Sequence, residues 1–255
     1  MIEALRNYIP SKHAPTKIKK NQAKEKHPRI NAWSAAAAQP LETSASQLES
    51  LHQNFLRGTN IAGDQPFLGT RPITNKIPGP YIWQTYNEIH KRVKNFGIGL
   101  LATIPALSST VQSAIGIFSI NRAEWIIAEQ SCFFTSLTTV PLFDMYSNAA
   151  VRHIVMEASL SVIIATRDKA AMLLSMAETD TSLQCLKYII IMDASAGSVV
   201  DEDVAAVGEE FGIEVLAMLD VERRGAMAAT SAVLAEVVRP GKDTVASICY
   251  TSGKI

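Results

Sequence analysis

No stretch of this 255-residue sequence reaches the roughly 20 consecutive apolar residues that a bilayer-spanning helix needs, and its first residues lack the hydrophobic core of a secretory leader. A soluble protein without a transmembrane segment is expected. A charge excess of either sign is also missing, since 24 Lys and Arg face 24 Asp and Glu, so the chain as a whole has no electrostatic signature for nucleic acid. No nucleic-acid partner is expected. Cysteine is scarce: Cys132, Cys185 and Cys249 lie far apart and form neither a CxxC pair nor a metal-ligand spacing, which fits reduced, buried thiols in an intracellular compartment. The residue pattern therefore nominates no metal ligand.

Apolar residues are plentiful, at 47% of the chain, and at this length roughly 70% of the unfolded surface can be buried, in one α/β domain or two small ones. The stretch Val111 to Asp144 organises the rest. Ala114 to Ile120 is a short apolar run rich in β-branched residues, which reads as a buried strand. Asn121 then suits a helix cap, with Glu124 three residues on and Trp125, Ala128 and Cys132 on one helical face. Thr138 to Phe143 reads as a second strand, so the stretch is a βαβ unit with a right-handed crossover.

Before this unit the composition changes. Residues 1–64 form a basic, low-complexity arm: Lys12, Lys17, Lys19, Lys20, Lys24, Lys26 and Arg29 face only Glu25, and SAAAAQPLETSAS follows. A solvated tail explains the basic run without a lipid or nucleic-acid patch. Arg6, His13 and Ala14 nearly match a peroxisomal address, with Asn7 where an aliphatic residue is wanted. From Phe67 the chain is organised. FLGTRP and YIWQTY flank a Pro- and Gly-punctuated turn, and Thr85 with Glu88 makes a capping box for a helix that carries Ile89, Val93, Phe96 and Leu100 on one face. That helix is expected to end near Gly97 or Gly99, with His90 on its solvated side.

Beyond Asp144 strand and helix alternate: a helix over 147–158, a strand over 160–165, a helix over 170–176, a strand over 188–192, a helix around Val204 to Phe211 and a strand over 213–218. The fold class is thus α/β, a mainly parallel sheet flanked by helices, with ligands at the carboxyl ends of strands. Val245 to Tyr250, VASICY, reads as a further buried strand, and it delivers Thr251, Ser252 and Gly253 into its carboxyl-end loop. Hydroxyls beside a glycine suit a phosphate, and an ordinary turn after a strand has the same composition.

Five segments in order, FLGTRP, YIWQTYNEI, GIFSINRAEWIIAEQ, VPLFD and ICYTSG, resemble the eukaryotic long-chain fatty acyl-CoA synthetases among the AMP-forming acyl-activating enzymes. The resemblance covers most of Phe67 to Gly253. It implies an incomplete N-terminal domain of the acyl-activating fold over residues 65–255, and a ligase that uses ATP with Mg2+ to form an acyl-adenylate and coenzyme A to take the acyl group. Fatty acid, ATP and coenzyme A are the implied partners, with peripheral membrane association and a cytoplasmic, endoplasmic-reticulum or peroxisomal location. Tyr250, Thr251, Ser252 and Gly253 are the positions that carry over as the nucleotide-binding corner, and no catalytic residue does. In the family this loop runs on through Thr and Gly to a lysine, whereas here Gly253 is followed by Lys254 and Ile255. An N-terminal fragment, inactive alone, is the expectation; the alternative is a non-catalytic fatty-acid-binding or interaction fragment that pairs with a full-length synthetase. Asp144 is expected to serve a turn or helix cap, His153 to face the fatty-acid side or the surface, and Asn121 and Arg122 to form the strand-to-helix corner.

Overall fold

A computed structural model describes residues 48–75, 77–107, 113–179, 181–193 and 202–251. The basic run, the low-complexity run and the near-address at Arg6 lie outside the described residues. One compact unit begins at Gln47 and takes in helix α1, Leu51–Ala62, whose Phe55 joins the core and whose Ser50 cap accepts from the Gln53 amide. Two short antiparallel hairpins follow, β1 (Pro66–Thr70) with β4 (Ile82–Thr85), and β2 (Ile73–Thr74) with β3 (Ile77–Pro78).

Five parallel strands form the main sheet: β5 (Ala114–Phe118), β6 (Thr138–Leu142), β7 (Val162–Ala165), β8 (Tyr188–Ile191) and β9 (Glu214–Ala217), in the order β6-β5-β7-β8-β9. They alternate with α3 (Ala123–Phe134), α4 (Asn148–Glu157), α5 (Arg167–Thr179) and α6 (Glu202–Glu210). The central strands β5 and β7 are apolar throughout because both of their faces are covered, whereas the outer strands carry Thr138 and Thr139 in β6 and an exposed Glu214 in β9. Ile115, Ile117, Val162 and Ile164 face one core with α3 and the helix α2 (Tyr86–Thr103), while Phe118, Ile163, Ala165 and Ile189 face a second core with α4 and α5. Burying each such Ile contributes about 1.5–3 kcal/mol.

Several sequence expectations need correction. Asn121 is not the cap of α3. Arg122 occupies the cap position in extended backbone, with no side-chain cap bond, and Glu124 accepts from the Arg122 Nε at 2.7 Å instead of returning to the cap backbone. By contrast, the box at Thr85 is complete: the Thr85 amide donates to Glu88 at 2.7 Å and the Glu88 amide donates back to the Thr85 hydroxyl at 3.2 Å. These bonds hold the Glu88 carboxyl below its ordinary range. The helix it starts does not stop at Gly97 or Gly99 but runs to Thr103. The helix after β7 is likewise longer than 170–176, and Thr166 precedes it.

Glycine inside α2 serves a helix crossing. Helix α7 (Met218–Ala228), which follows β9 directly, packs so closely on α2 that a Cβ at Gly225 would overlap the Asn95 carbonyl oxygen, and one at Gly99 would overlap that of Val221. Beside the crossing Arg92 holds Glu222 with two bonds of 2.8 and 3.1 Å and donates a third to Gln84 at 3.2 Å. Glu222 is 8% exposed, so this pair satisfies a carboxylate that burial alone would penalise. Helix α8 (Ser231–Glu236), capped by Thr230, completes the described helices. Among the described residues no helix is long and apolar enough to cross a membrane.

We expect Gly225→Ala to cost about 1–3 kcal/mol or more through overpacking, while Gly241→Ala, which meets no atom within 4 Å, stays within about 0.5 kcal/mol. Urea midpoints compare the two, and equal losses would contradict the close crossing.

Candidate functional site

The carboxyl ends of the strands are where a doubly covered parallel sheet can receive a ligand, above all where the strand order reverses. Here it reverses around β5, because the chain passes from β5 outward to β6 and then returns across it to β7. Ser119, Thr166 and Lys169 gather there. The Lys169 ammonium lies 5.2 Å from the centre of the Phe118 ring and donates to the Asp144 carbonyl at 2.8 Å. Asp144 thus sits in a turn, as expected, and its backbone oxygen is what the lysine uses. Across the same end Arg122 lies 3.8 Å from Asp193, whose carboxylate also accepts the Arg167 amide at 2.9 Å. Lys169 and Asp193 gave no sequence signal, since a lysine in a helix's first turn and an aspartate after a strand are the ordinary residues there.

The segment Val245 to Tyr250 reaches this end along the free margin of β6. It is not the buried strand that its composition suggests. A single parallel bridge joins Ser247 to Thr139: the Thr139 amide donates to the Ala246 carbonyl at 3.0 Å and the Ile248 amide to the Thr139 carbonyl at 2.8 Å. Val245 and Ile248 are 46% and 42% exposed. An apolar run records how much surface a strand could bury, not whether neighbours cover it, and this one has a partner on one side only among the described residues. Hydroxyls reinforce the contact, with Thr138 donating to the Val245 carbonyl at 3.0 Å and Ser247 to the Thr139 carbonyl at 3.2 Å.

Of the four predicted binding residues, Tyr250 and Thr251 are described, and Ser252 and Gly253 lie outside the described residues. Thr251 is exposed just past the margin. Tyr250 packs back on α4: its carbonyl accepts from the Tyr146 hydroxyl at 3.3 Å, and its ring meets His153 edge-on at 6.4 Å. His153 is exposed and pairs with Glu157 at 3.0 Å. Partial burial, followed by the charge and hydrogen bond of Glu157, pushes the Tyr250 phenol above the ordinary tyrosine range. Tyr250 therefore anchors the corner, and Thr251 beyond it is exposed.

Comparison with known proteins is decisive at this point, because the matched region runs through that corner. The family described as AMP-binding enzyme matches residues 63–253. This chain belongs to the AMP-binding enzyme family. Among its relatives, the human protein named long-chain-fatty-acid–CoA ligase 1 is 31% identical over 215 residues, 84% of this chain and 28% of that protein. Long chain acyl-CoA synthetase 8 of Arabidopsis thaliana is 30% identical over 224 residues, 87% of this chain and 29% of that protein. The chain thus spans less than a third of either relative. Solved structures show the same fold. The A-PCP didomain of a carboxylic acid reductase from Segniliparus rugosus, in complex with AMP, superposes with a TM-score of 0.64 at 19% identity over 87% of this chain and 33% of its own. A long-chain-fatty-acid-CoA ligase from Archaeoglobus fulgidus gives 0.56 at 15% over 80% of this chain and 35% of its own.

Cys132 is buried and its thiol is pushed up by burial, Cys185 is half-buried and Cys249 is exposed; all three are free thiols. The expectation of buried thiols thus fails at Cys249, on the same exposed margin.

We expect Glu157→Gln to lower the Tyr250 phenol toward the ordinary value of about 10. Alkaline difference spectra against Tyr250→Phe isolate this phenol, and an unchanged titration would show that Glu157 does not hold it.

Proposed function

We propose that this chain contributes the amino-terminal sheet of an adenylate-forming long-chain fatty acid–CoA ligase. The observation that carries the reading is the family match running through the exposed corner at Thr251, on the margin where a parallel sheet takes its ligands. The named activities of the relatives supply the substrate class. In this reading residues 65–255 are part of the adenylate-forming domain, 1–64 form an arm before it, and Tyr250, Thr251, Ser252 and Gly253 begin the loop that meets ATP phosphate. A fatty carboxylate oxygen then attacks the α-phosphorus as pyrophosphate leaves, and the thiol of coenzyme A displaces AMP from the acyl carbon.

The described residues fit one edge of the nucleotide. Thr251 offers a hydroxyl to phosphate, and Tyr250, whose carbonyl accepts from the Tyr146 hydroxyl, fixes the backbone that presents it. Among the described residues no group of three His, Cys, Asp or Glu is placed to hold a metal ion, and none is assigned to Mg2+. No described residue is assigned to coenzyme A. The 255-residue polypeptide alone is expected not to turn over, since it corresponds to 28% of the human relative's length and its corner rests on one bridge.

With ATP, Mg2+ and palmitate, the isolated chain should release no pyrophosphate above background; measurable turnover overturns the incompetence. A chimera in which residues 63–251 replace the matching part of the human relative tests the ligase reading itself. Once circular dichroism shows it folded, it should form palmitoyl-CoA, and a folded chimera without that activity contradicts the reading. Saturable binding of a fluorescent fatty acid by the isolated chain would instead favour the non-catalytic binding fragment.

A further inference from the structure

The opposite end of the sheet carries a second feature, independent of the ligase reading. Phe134 closes α3 just before β6 begins, so the cleft beside it lies at the amino-terminal margin, far from Thr251 along the strands. The cleft encloses about 380 Å³. His52 from α1, His90 and Lys94 from α2, and Arg239 from the chain after α8 all line it, with Leu56 and Phe134 as apolar walls. His90, expected on a solvated helix side, is in fact half-buried, with its ring edge-on to Phe55 at 6.0 Å.

Four basic side chains from three separate elements converge here without an acid among the residues lining the cleft. Neither Lys94 nor Arg239 has a carboxylate partner among the described residues. Arg239 is held in place all the same: its guanidinium lies 4.1 Å from the centre of the Phe134 ring and one of its N–H groups donates to the Phe134 carbonyl at 3.3 Å. His52 is only 5% exposed, and its Nδ1 is enclosed with no hydrogen-bond partner. Burial, with repulsion from Arg239 and His90, pushes that imidazole down to about 4. Ser50, the cap of α1, lines the same cleft, so the positive end of a 12-residue helix adds to the cationic side chains. Burial, with the neighbouring Lys94 charge, lowers the His90 imidazole as well, so the two histidines line the cleft as neutral rings and its positive charge is that of Lys94 and Arg239, whose mutual repulsion an anion would offset.

We propose that this cleft binds a phosphate group, carried either on a small soluble phosphate ester or on a phospholipid headgroup. Phosphate suits it because an arginine fork and a lysine point charge arrive from different elements, a spread that matches several oxygens of one dianion better than the two of a carboxylate.

Calorimetric titration of the full 255-residue chain with inorganic phosphate, and flotation with phosphatidylcholine vesicles containing or lacking phosphatidic acid, test the proposal. We expect saturable binding in at least one arm, weakened about tenfold or more by Lys94→Gln and by Arg239→Gln, and unchanged by Lys187→Gln on the exposed loop before β8, which does not line the cleft. Binding of free phosphate assigns the soluble source; binding of phosphatidic acid vesicles alone assigns the lipid. Thermal melts confirm that each variant is folded, and Lys94→Gln keeps the test intact should Arg239→Gln unfold through its packing on Phe134. No saturable binding in either arm, or equal weakening by Lys187→Gln, overturns the proposal.

Discussion

A parallel sheet leaves no face for water, and covering both faces of β5 and β7 at once is the constraint on which this molecule depends. One face takes α2 and α3, with α7 laid across α2 so closely that two glycines and a buried ion pair are needed at the crossing. The other takes α4 and α5. With both faces occupied, backbone groups remain accessible only at strand ends and along the outer strands. The two candidate sites lie at such places: the exposed corner after Tyr250 stands at a carboxyl end and margin, and the basic cleft stands at the amino-terminal end beside α1.

The central architecture was legible from the residues because burial on both faces writes itself as short β-branched runs, IGIF, VIIA and YIII, separated by helical periodicity. The capping box at Thr85 was legible for a similar reason, since two side chains at fixed spacing satisfy two backbone amides. Features that depend on neighbours distant in sequence were not. Helix α7 reads MLDVERRGAMA, and its inward face includes Glu222 and Gly225, which look solvated until Arg92 and Gly99 are placed opposite them. His90 looked polar-facing for the same reason, because Phe55 of α1, on a separate helix upstream, packs on it.

The corner shows both sides of this limit. Its hydroxyls and its place after an apolar run pointed to the strand-end loop, and the family match runs through it. Its degree of burial could not be read, because VASICY has the composition of a central strand and the environment of a margin. One bridge to Thr139 carries the segment to the sheet end, and the solved structures share the overall fold at 14–20% identity. Sequence has drifted far at that level while the doubly covered sheet persists.

The central claim is that residues 245–250 dock in parallel on β6 and so present Thr251 at the carboxyl end of the sheet. Native-state hydrogen exchange at Thr139 reads this directly, because its amide faces outward from the sheet to the Ala246 carbonyl. The account predicts that the Thr139 and Ile248 amides are both protected and lose protection together as denaturant is added. Free exchange at Thr139, beside a protected Val140 that bonds inward to β5, would show a bare margin and contradict it.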